Sequence, residues 1–190
     1  MHRRSQSRRA GIFHVHSDFS RDGAISLDEL RRECIGEKIE FMIMTDHAED
    51  VLPDRAAEYI SECERISGPE FLAVPGLEFR LPTDRNVHLL VTGWQHYLAG
   101  GGSDEVLDRV LKARRRELVI LAHPRKCRYD VPSGLWPALN GVETWNAASD
   151  SRYLPNLKSI KMYRTIKSGN PGIVGIGGLD LHGMAGFRGI

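Results

Sequence analysis

Apolar and polar positions along this chain fall into short strand-like runs that alternate with helical stripes. Residues 12–16 read as a strand ending in histidine. Ser26-Leu27-Asp28-Glu29 sets a serine three residues ahead of a glutamate, the capping-box pattern. It predicts a helix over 27–37 with Leu27, Leu30, Cys34 and Ile35 on one face. The run 41–45 is apolar and short, as buried parallel strands are. Pro53 opens a second helix through Ala57, Ile60 and Ile66, stopped by Gly68-Pro69. Residues 71–79 form a third strand. Only residues 80–86 separate it from the run 87–94, whereas a parallel crossover needs about a dozen residues. The fourth strand is therefore expected to return antiparallel through a hairpin. A Ser103-capped helix with Val106, Val110 and Leu111 inward follows, with Arg114, Arg115 and Arg116 near its end. A strand over 118–122, a proline-punctuated segment holding Leu135 and Trp136, a strand over 142–145, a basic amphipathic helix over 154–167 and a strand over 173–180 complete the pattern. Alternation of this kind predicts an α/β layered or barrel fold.

Composition narrows the class. A chain of 190 residues, 41% hydrophobic and 27% charged, fits one globular domain, expected over 11–190 behind a basic, disordered tail at 1–10. Arg3, Arg4, Arg8 and Arg9 in that tail resemble a twin-arginine signal, but no apolar stretch follows them. No run approaches the ~20 apolar residues of a membrane helix. A net charge of +1 argues against a domain-wide nucleic-acid footprint. Three cysteines without a CxxC pair fit a reduced, cytoplasmic setting. The eight histidines are the unusual count; His2 and His96 read as ordinary.

The other six histidines fall at strand ends together with several acids. His14 and His16 close the first strand and, two residues apart, face one side. Asp46-His47 closes the second, Glu78 lies near the end of the third, and His88 begins the return strand of the hairpin. His123 follows the fifth strand in Ala-His-Pro, and Asp180-Leu181-His182 closes the last. Functional residues of α/β folds collect on the rim formed by the C-terminal strand ends. Each motif alone has an ordinary reading: a packed core histidine, or Asp46 and Asp180 as helix caps. Together they would be costly without cations, because so many buried imidazoles and carboxylates repel or stay unpaired. Imidazole plus carboxylate suits Zn²⁺, Mn²⁺ or Fe.

The ordered set His14-x-His16, Asp22-Gly23, Thr45-Asp46-His47, Pro75-Gly76-x-Glu78, His88, Ala122-His123-Pro124 and Asp180-x-His182 resembles the PHP (polymerase and histidinol phosphatase) family. The resemblance implies a distorted (β/α)7, TIM-like barrel, here short or incomplete at its C-terminus. It also implies two or three divalent metal ions. His14, His16, Glu78 and Asp180 would hold one. Glu78 would bridge to a second held with His88 and His123. Asp22, His47 and His182 would hold the third. Asp18 rivals Asp22, and Gly-Leu-Asp-Leu-His stands where the family more often has Gly-Ser-Asp-Ala-His.

The chemistry so implied is hydrolysis of a phosphate ester of a small molecule or nucleotide, by metal-activated hydroxide attacking phosphorus. Arg21, Arg80, Arg125 and Arg188 each lie near a ligand motif, and Lys126 and Arg128 follow His123-Pro124. Arg80 and Arg125 are the favoured phosphate contacts, with surface loop charge as the ordinary reading. Asp46 and His182 are candidates to protonate the leaving group. No GxSxG or cysteine–histidine nucleophile pattern appears. Trp94, Trp136, Trp145 and Asn146 are candidates for pocket walls or for core. The alternatives are a nuclease or phosphodiesterase acting on nucleic-acid ends, a silent metal-binding structural domain, and amidohydrolase-like hydrolysis.

Overall fold

The computed structural model describes residues 8–83, 85–93, 101–113, 117–151 and 153–187. The tail residues Arg3 and Arg4, and Trp94, His96, Arg114, Arg115, Arg116 and Arg188, lie outside the described residues. Nine strands, six α-helices and a 3-10 segment are described: β1 (Gly11–Val15), α1 (Leu27–Gly36), β2 (Phe41–Met44), β3 (Asp46–His47), α2 (Ala48–Val51), α3 (Ala56–Ile66), β4 (Leu72–Val74), β5 (Gly76–Arg80), β6 (His88–Thr92), α4 (Ser103–Ala113), β7 (Leu118–Leu121), the 3-10 segment Ser133–Ala138, β8 (Gly141–Asn146), α5 (Leu157–Gly169), β9 (Val174–Gly178) and α6 (Met184–Phe187). The capping box of α1 forms as its sequence dictates, with Ser26 and Glu29 satisfying each other's backbone N–H groups. α5 starts later than its apolar stripe suggests. Asn156 caps it through Lys158 N and Ser159 N, and Pro155 stands just before that cap.

The strands form two sheets, β1-β2-β4 and β3-β5-β6-β7-β8-β9. β6 is antiparallel to both neighbours, as the short 80–86 connection requires, and every other pairing is parallel. The third expected strand is broken into β4 and β5 at Pro75, which has no N–H to offer a ladder. Among the described residues the ladders draw an α/β fold of two sheets and no closed barrel. Three hydrogen bonds nevertheless join the chain after β9 to β1: Leu179 N to Phe13 O (2.9 Å), Leu181 N to His14 O (3.1 Å) and His16 N to Leu181 O (2.9 Å).

Two apolar clusters organise the interior. The larger packs α1, α3 and α4 against the strands, with Leu30, Cys34, Tyr59, Cys63 and Val106 buried. The smaller joins Phe13, Leu90, Ile120 and Ala122, with Ile43 and Ile176 against them, so both sheets contribute to it. Glu78 stands directly opposite Leu90 in the β5–β6 ladder. Cross-strand partners share a face, so this carboxylate rises from the margin of the inner apolar cluster. Among the described residues, no helix is long and apolar enough to cross a membrane.

Candidate metal centre

All nine side chains named from the ordered motif converge on one mouth. Their ligand atoms form three groups: His14, His16, Glu78 and Asp180; Glu78, His88 and His123; and His16, Asp22, His47 and His182. The third group includes His16 beyond the three residues expected. Asp22 takes the place for which Asp18 competed, and Asp18 belongs to none of the groups.

Local backbone aims these groups. His14 sits at a register shift in β1, between the pairs Phe13–Ile43 and Val15–Met44, and has φ +66°. Its ring meets that of His16 at 5.3 Å between centroids because of this bulge rather than by regular alternation. His123 (φ +22°) and Asp180 (φ +54°) are also left-handed. Non-glycine residues held there cost on the order of 1–3 kcal/mol each and cluster at functional sites.

Glu78 is the hub. Its Oε1 lies 2.7 Å from His88 Nδ1 and 2.9 Å from His123 Nε2. Its Oε2 lies 3.3 Å from His16 Nε2 and 3.5 Å from both His14 Nε2 and His47 Nδ1. Asp180 Oδ1 is 3.3 Å from His14 Nε2 and 3.6 Å from His182 Nδ1. Asp22 Oδ2 is 3.3 Å from both His47 Nε2 and His182 Nε2.

The second nitrogens of three of these rings are occupied elsewhere, while that of His123, Nδ1, is buried without a partner. His14 Nδ1 meets Glu143 Oε1 at 2.7 Å, His88 Nε2 meets Asn86 Oδ1 at 3.2 Å, and His182 Nδ1 meets the Asp180 carbonyl at 3.0 Å. A neutral ring that donates outward presents a lone pair inward. His14 Nε2 and His16 Nε2 face Glu78 Oε2 at 3.5 and 3.3 Å, a spacing at which two ligand atoms can share one cation. His14 Nε2, His16 Nε2 and Asp180 Oδ1 are buried with no hydrogen-bond partner, which is the state that a cation satisfies. The donor set fits a divalent metal.

Charge coupling is strong. Burial raises the Glu78 carboxyl, but His14, His123 and His16 outweigh it and hold the group well below the usual carboxylate range. Burial likewise opposes the ionised Asp180, and His14, His123 and Lys126 overcome it, so its pKa is lowered. Burial disfavours charge on His14, yet Glu143 and Glu78 raise it well above the usual histidine value. For His16 burial prevails and the pKa falls.

The remaining candidates are placed differently. Asp46 is fully buried and turned away from the groups: Ser17 N (2.7 Å), Ser20 Oγ (2.8 Å) and Ser17 Oγ (2.9 Å) donate to it. Arg80 is exposed and pairs across the ladder with His88, lining an open cavity with Glu49, Thr83 and Asp104. Arg125 donates to the Ser149 carbonyl at 2.6 Å, away from the ligands. Arg21 binds Asp50. Trp136 packs against the larger core, Trp145 donates to Ser151 O, and Asn146 is buried. Two residues without an assigned role touch ligands directly. Lys126 Nζ lies 2.8 Å from Asp180 Oδ2, and Glu143 lies behind His14 and His123. Glu143 is an acid inside an otherwise weakly polar strand, a signal that was available in the sequence.

A two-sheet α/β domain with six histidines and three acids gathered at one mouth is a candidate metal-binding domain of the strand-end type. The family model of the PHP domain matches residues 13–126, more than half of the chain, and the chain belongs to that family. Asp180 and His182 lie beyond the matched segment, and the fold returns them to it. A similar solved structure is a protein of Bifidobacterium adolescentis provisionally named a metal-dependent phosphoesterase. The likeness has a TM-score of 0.59 at 15% identity and covers 93% of this chain and 89% of that one. No curated protein matches the chain in sequence.

Proposed function

We propose that this chain hydrolyses phosphate esters of a small molecule or nucleotide, using two or three divalent ions of zinc, manganese or iron. The observation that carries the reading is Glu78, one carboxylate faced by five imidazoles, two of which present unpartnered Nε2 atoms. Family membership and the printed name of the similar structure support the same chemistry. The three hydrogen bonds between β1 and the chain after β9 support reading the two sheets as a distorted seven-stranded barrel.

Divalent ions in such a centre supply Lewis-acid activation of water and neutralise charge on phosphate oxygens. Glu78 and Asp180 hold negative charge at the hub, and His14, His16, His88, His123, His47, His182 and Asp22 complete the ligand set. Lys126 at the mouth, and Arg80 across the ladder from His88, bind the non-bridging oxygens of the ester. His182 has both nitrogens engaged, Nε2 by Asp22 and Nδ1 by the Asp180 carbonyl, so the proton for the leaving group comes from solvent at the mouth. Asp46 serves by fixing the 17–20 turn behind His16 and His47. Arg125 shapes the loop at Ser149 beside the mouth.

Metal content and turnover test the reading. Purified chain is expected to hold stoichiometric metal and to cleave a member of a panel of phosphomonoesters, nucleotides, phosphodiesters and oligonucleotides. His14→Ala is expected to lose at least ~100-fold in rate. Absence of stoichiometric metal after supplementation with Mn²⁺ or Zn²⁺ overturns the proposal. Metal without turnover favours a silent structural domain, and shortening of oligonucleotides favours a nuclease.

A further inference from the structure

We infer that Glu143 is the positioning residue of the centre, tying two ligands from different groups to one buried carboxylate. The inference rests on the metal-centre reading above and goes beyond it in assigning a residue outside the ligand set. Glu143 is fully buried, yet both of its oxygens are engaged. Oε1 accepts from His14 Nδ1 at 2.7 Å. Oε2 accepts from the backbone N–H of His123 at 2.7 Å and from Asn146 Nδ2 at 3.0 Å.

Each contact has a consequence for the centre. The contact at Nδ1 sets the rotation of the His14 ring and leaves its Nε2 aimed at Glu78 Oε2 (3.5 Å) and Asp180 Oδ1 (3.3 Å). The bond to His123 N fixes the backbone where that residue is left-handed, at φ +22°. His14, at φ +66°, is the other strained ligand tied to the same carboxylate. Glu143 thus offsets the cost of both conformations and sets the spacing between the group of His14 and the group of His123.

The surroundings leave room for this carboxylate. β8 shifts register between Glu143 and Trp145, which turns the residue relative to its neighbours. On the neighbouring β9, paired with Asn146, stands Gly178, where a Cβ would fall 1.8 Å from Glu143 Oε1 and 3.1 Å from His14 Cβ. Asn146 is itself fixed: its Oδ1 accepts from Ser149 N (2.9 Å) and Ser149 Oγ (2.8 Å). The carboxylate is therefore held from behind by the loop that follows β8.

The test is metal affinity by competition with a chromophoric chelator, together with the d–d absorption of the Co²⁺-loaded protein, on the parent, Glu143→Gln and Glu143→Asp. Circular dichroism reports folding. Glu143→Gln keeps the volume but turns an amide N–H₂ toward donors. It is expected to weaken metal binding ~10–100-fold and to shift the cobalt bands. Glu143→Asp keeps the charge but shortens the reach to His14, and is expected to fold and to bind with intermediate affinity. A folded Glu143→Gln, or Glu143→Asp if Gln does not fold, with parental affinity and parental cobalt bands overturns the inference. A parent that takes up no metal overturns the metal-centre reading and this inference together; a parent that binds while the variants equal it overturns this one alone.

Discussion

Lys126 holds Asp180 from outside: its Nζ lies 2.8 Å from Asp180 Oδ2, while the other oxygen, Oδ1, faces His14. The carboxylate is buried and the ammonium is more than a third exposed, so one end of the pair belongs to the centre and the other to the mouth. A lysine so placed can exchange part of its contact with Asp180 for a phosphate oxygen. Lys126→Met is expected to raise KM and lower kcat/KM ~10–100-fold, the loss of one charge-assisted hydrogen bond, with metal content unchanged. Kinetics and metal analysis on the same preparation check this. A KM within twofold of parent makes the lysine a purely structural partner of Asp180.

Glu78 joins two of the groups, so its removal should differ in kind from removal of a peripheral ligand. Glu78→Gln is expected to lose metal from both groups, while His88→Ala loses it from one. Metal-to-protein ratios by mass spectrometry distinguish the outcomes. Metal that binds the folded chain also stabilises it, by about 2.7 kcal/mol at a free concentration 100 times Kd. Parent Tm should therefore rise with metal and fall with chelator, and Glu78→Gln should show little of either shift. Equal ratios in the two variants would deny Glu78 its bridging place.

Gly178 tests whether packing, and not charge alone, sets the centre. A methyl group there would fall 1.8 Å from Glu143 Oε1, so the carboxylate or β9 must move. Gly178→Ala is expected to destabilise the fold by about 1–3 kcal/mol, a fall of roughly 2–12 °C in Tm for a chain of this size, and to weaken metal binding. Calorimetry with a metal titration reads both. A Tm and affinity equal to parent would mean that Glu143 has space the geometry denies it.

The strand order near the site was readable because its signals are local. The short 80–86 link forces the β5–β6 hairpin, and Ser26 with Glu29 marks the start of α1. Most of the nine grouped residues lie at or beside strand ends, whereas Glu78 lies inside β5 and Asp22 in the turn between β1 and α1, where only the family resemblance pointed to it. The convergence of His14 and His16 was expected from alternation, yet it comes from a bulge at φ +66°, which no spacing reveals. Arg125 and Lys126 are adjacent cations after Ala-His-Pro, and only the turn geometry decides which reaches Asp180 and which reaches Ser149. Glu143 shows locally only as an acid inside a strand, because its partner His14 is 129 positions away. Closure of a barrel could not be read from periodicity, since it depends on register along β1 and the residues after β9.

The three cysteines carry a prediction that depends on pH. Cys34, Cys63 and Cys127 are free and buried. Burial pushes the Cys34 and Cys63 thiols up to about 12 and raises Cys127 as well. Near pH 8 the folded chain is therefore expected to react negligibly with a disulfide reagent, and all three thiols should react once the chain is unfolded in guanidinium. The sign for stability follows from the same shift. The unfolded thiols ionise near pH ~8.5 while the folded ones stay protonated, so the unfolded chain binds fewer protons above that pH. Their contribution is full below pH ~8.5 and is lost progressively as pH rises toward 12. Denaturant midpoints of the parent and of a Cys34→Ala/Cys63→Ala variant, measured from about pH 8 to about pH 10.5, read this directly. The parent midpoint should fall more steeply with pH than that of the variant. Parallel slopes, or rapid labelling of the native chain at pH ~8, would show that these thiols are reached by solvent.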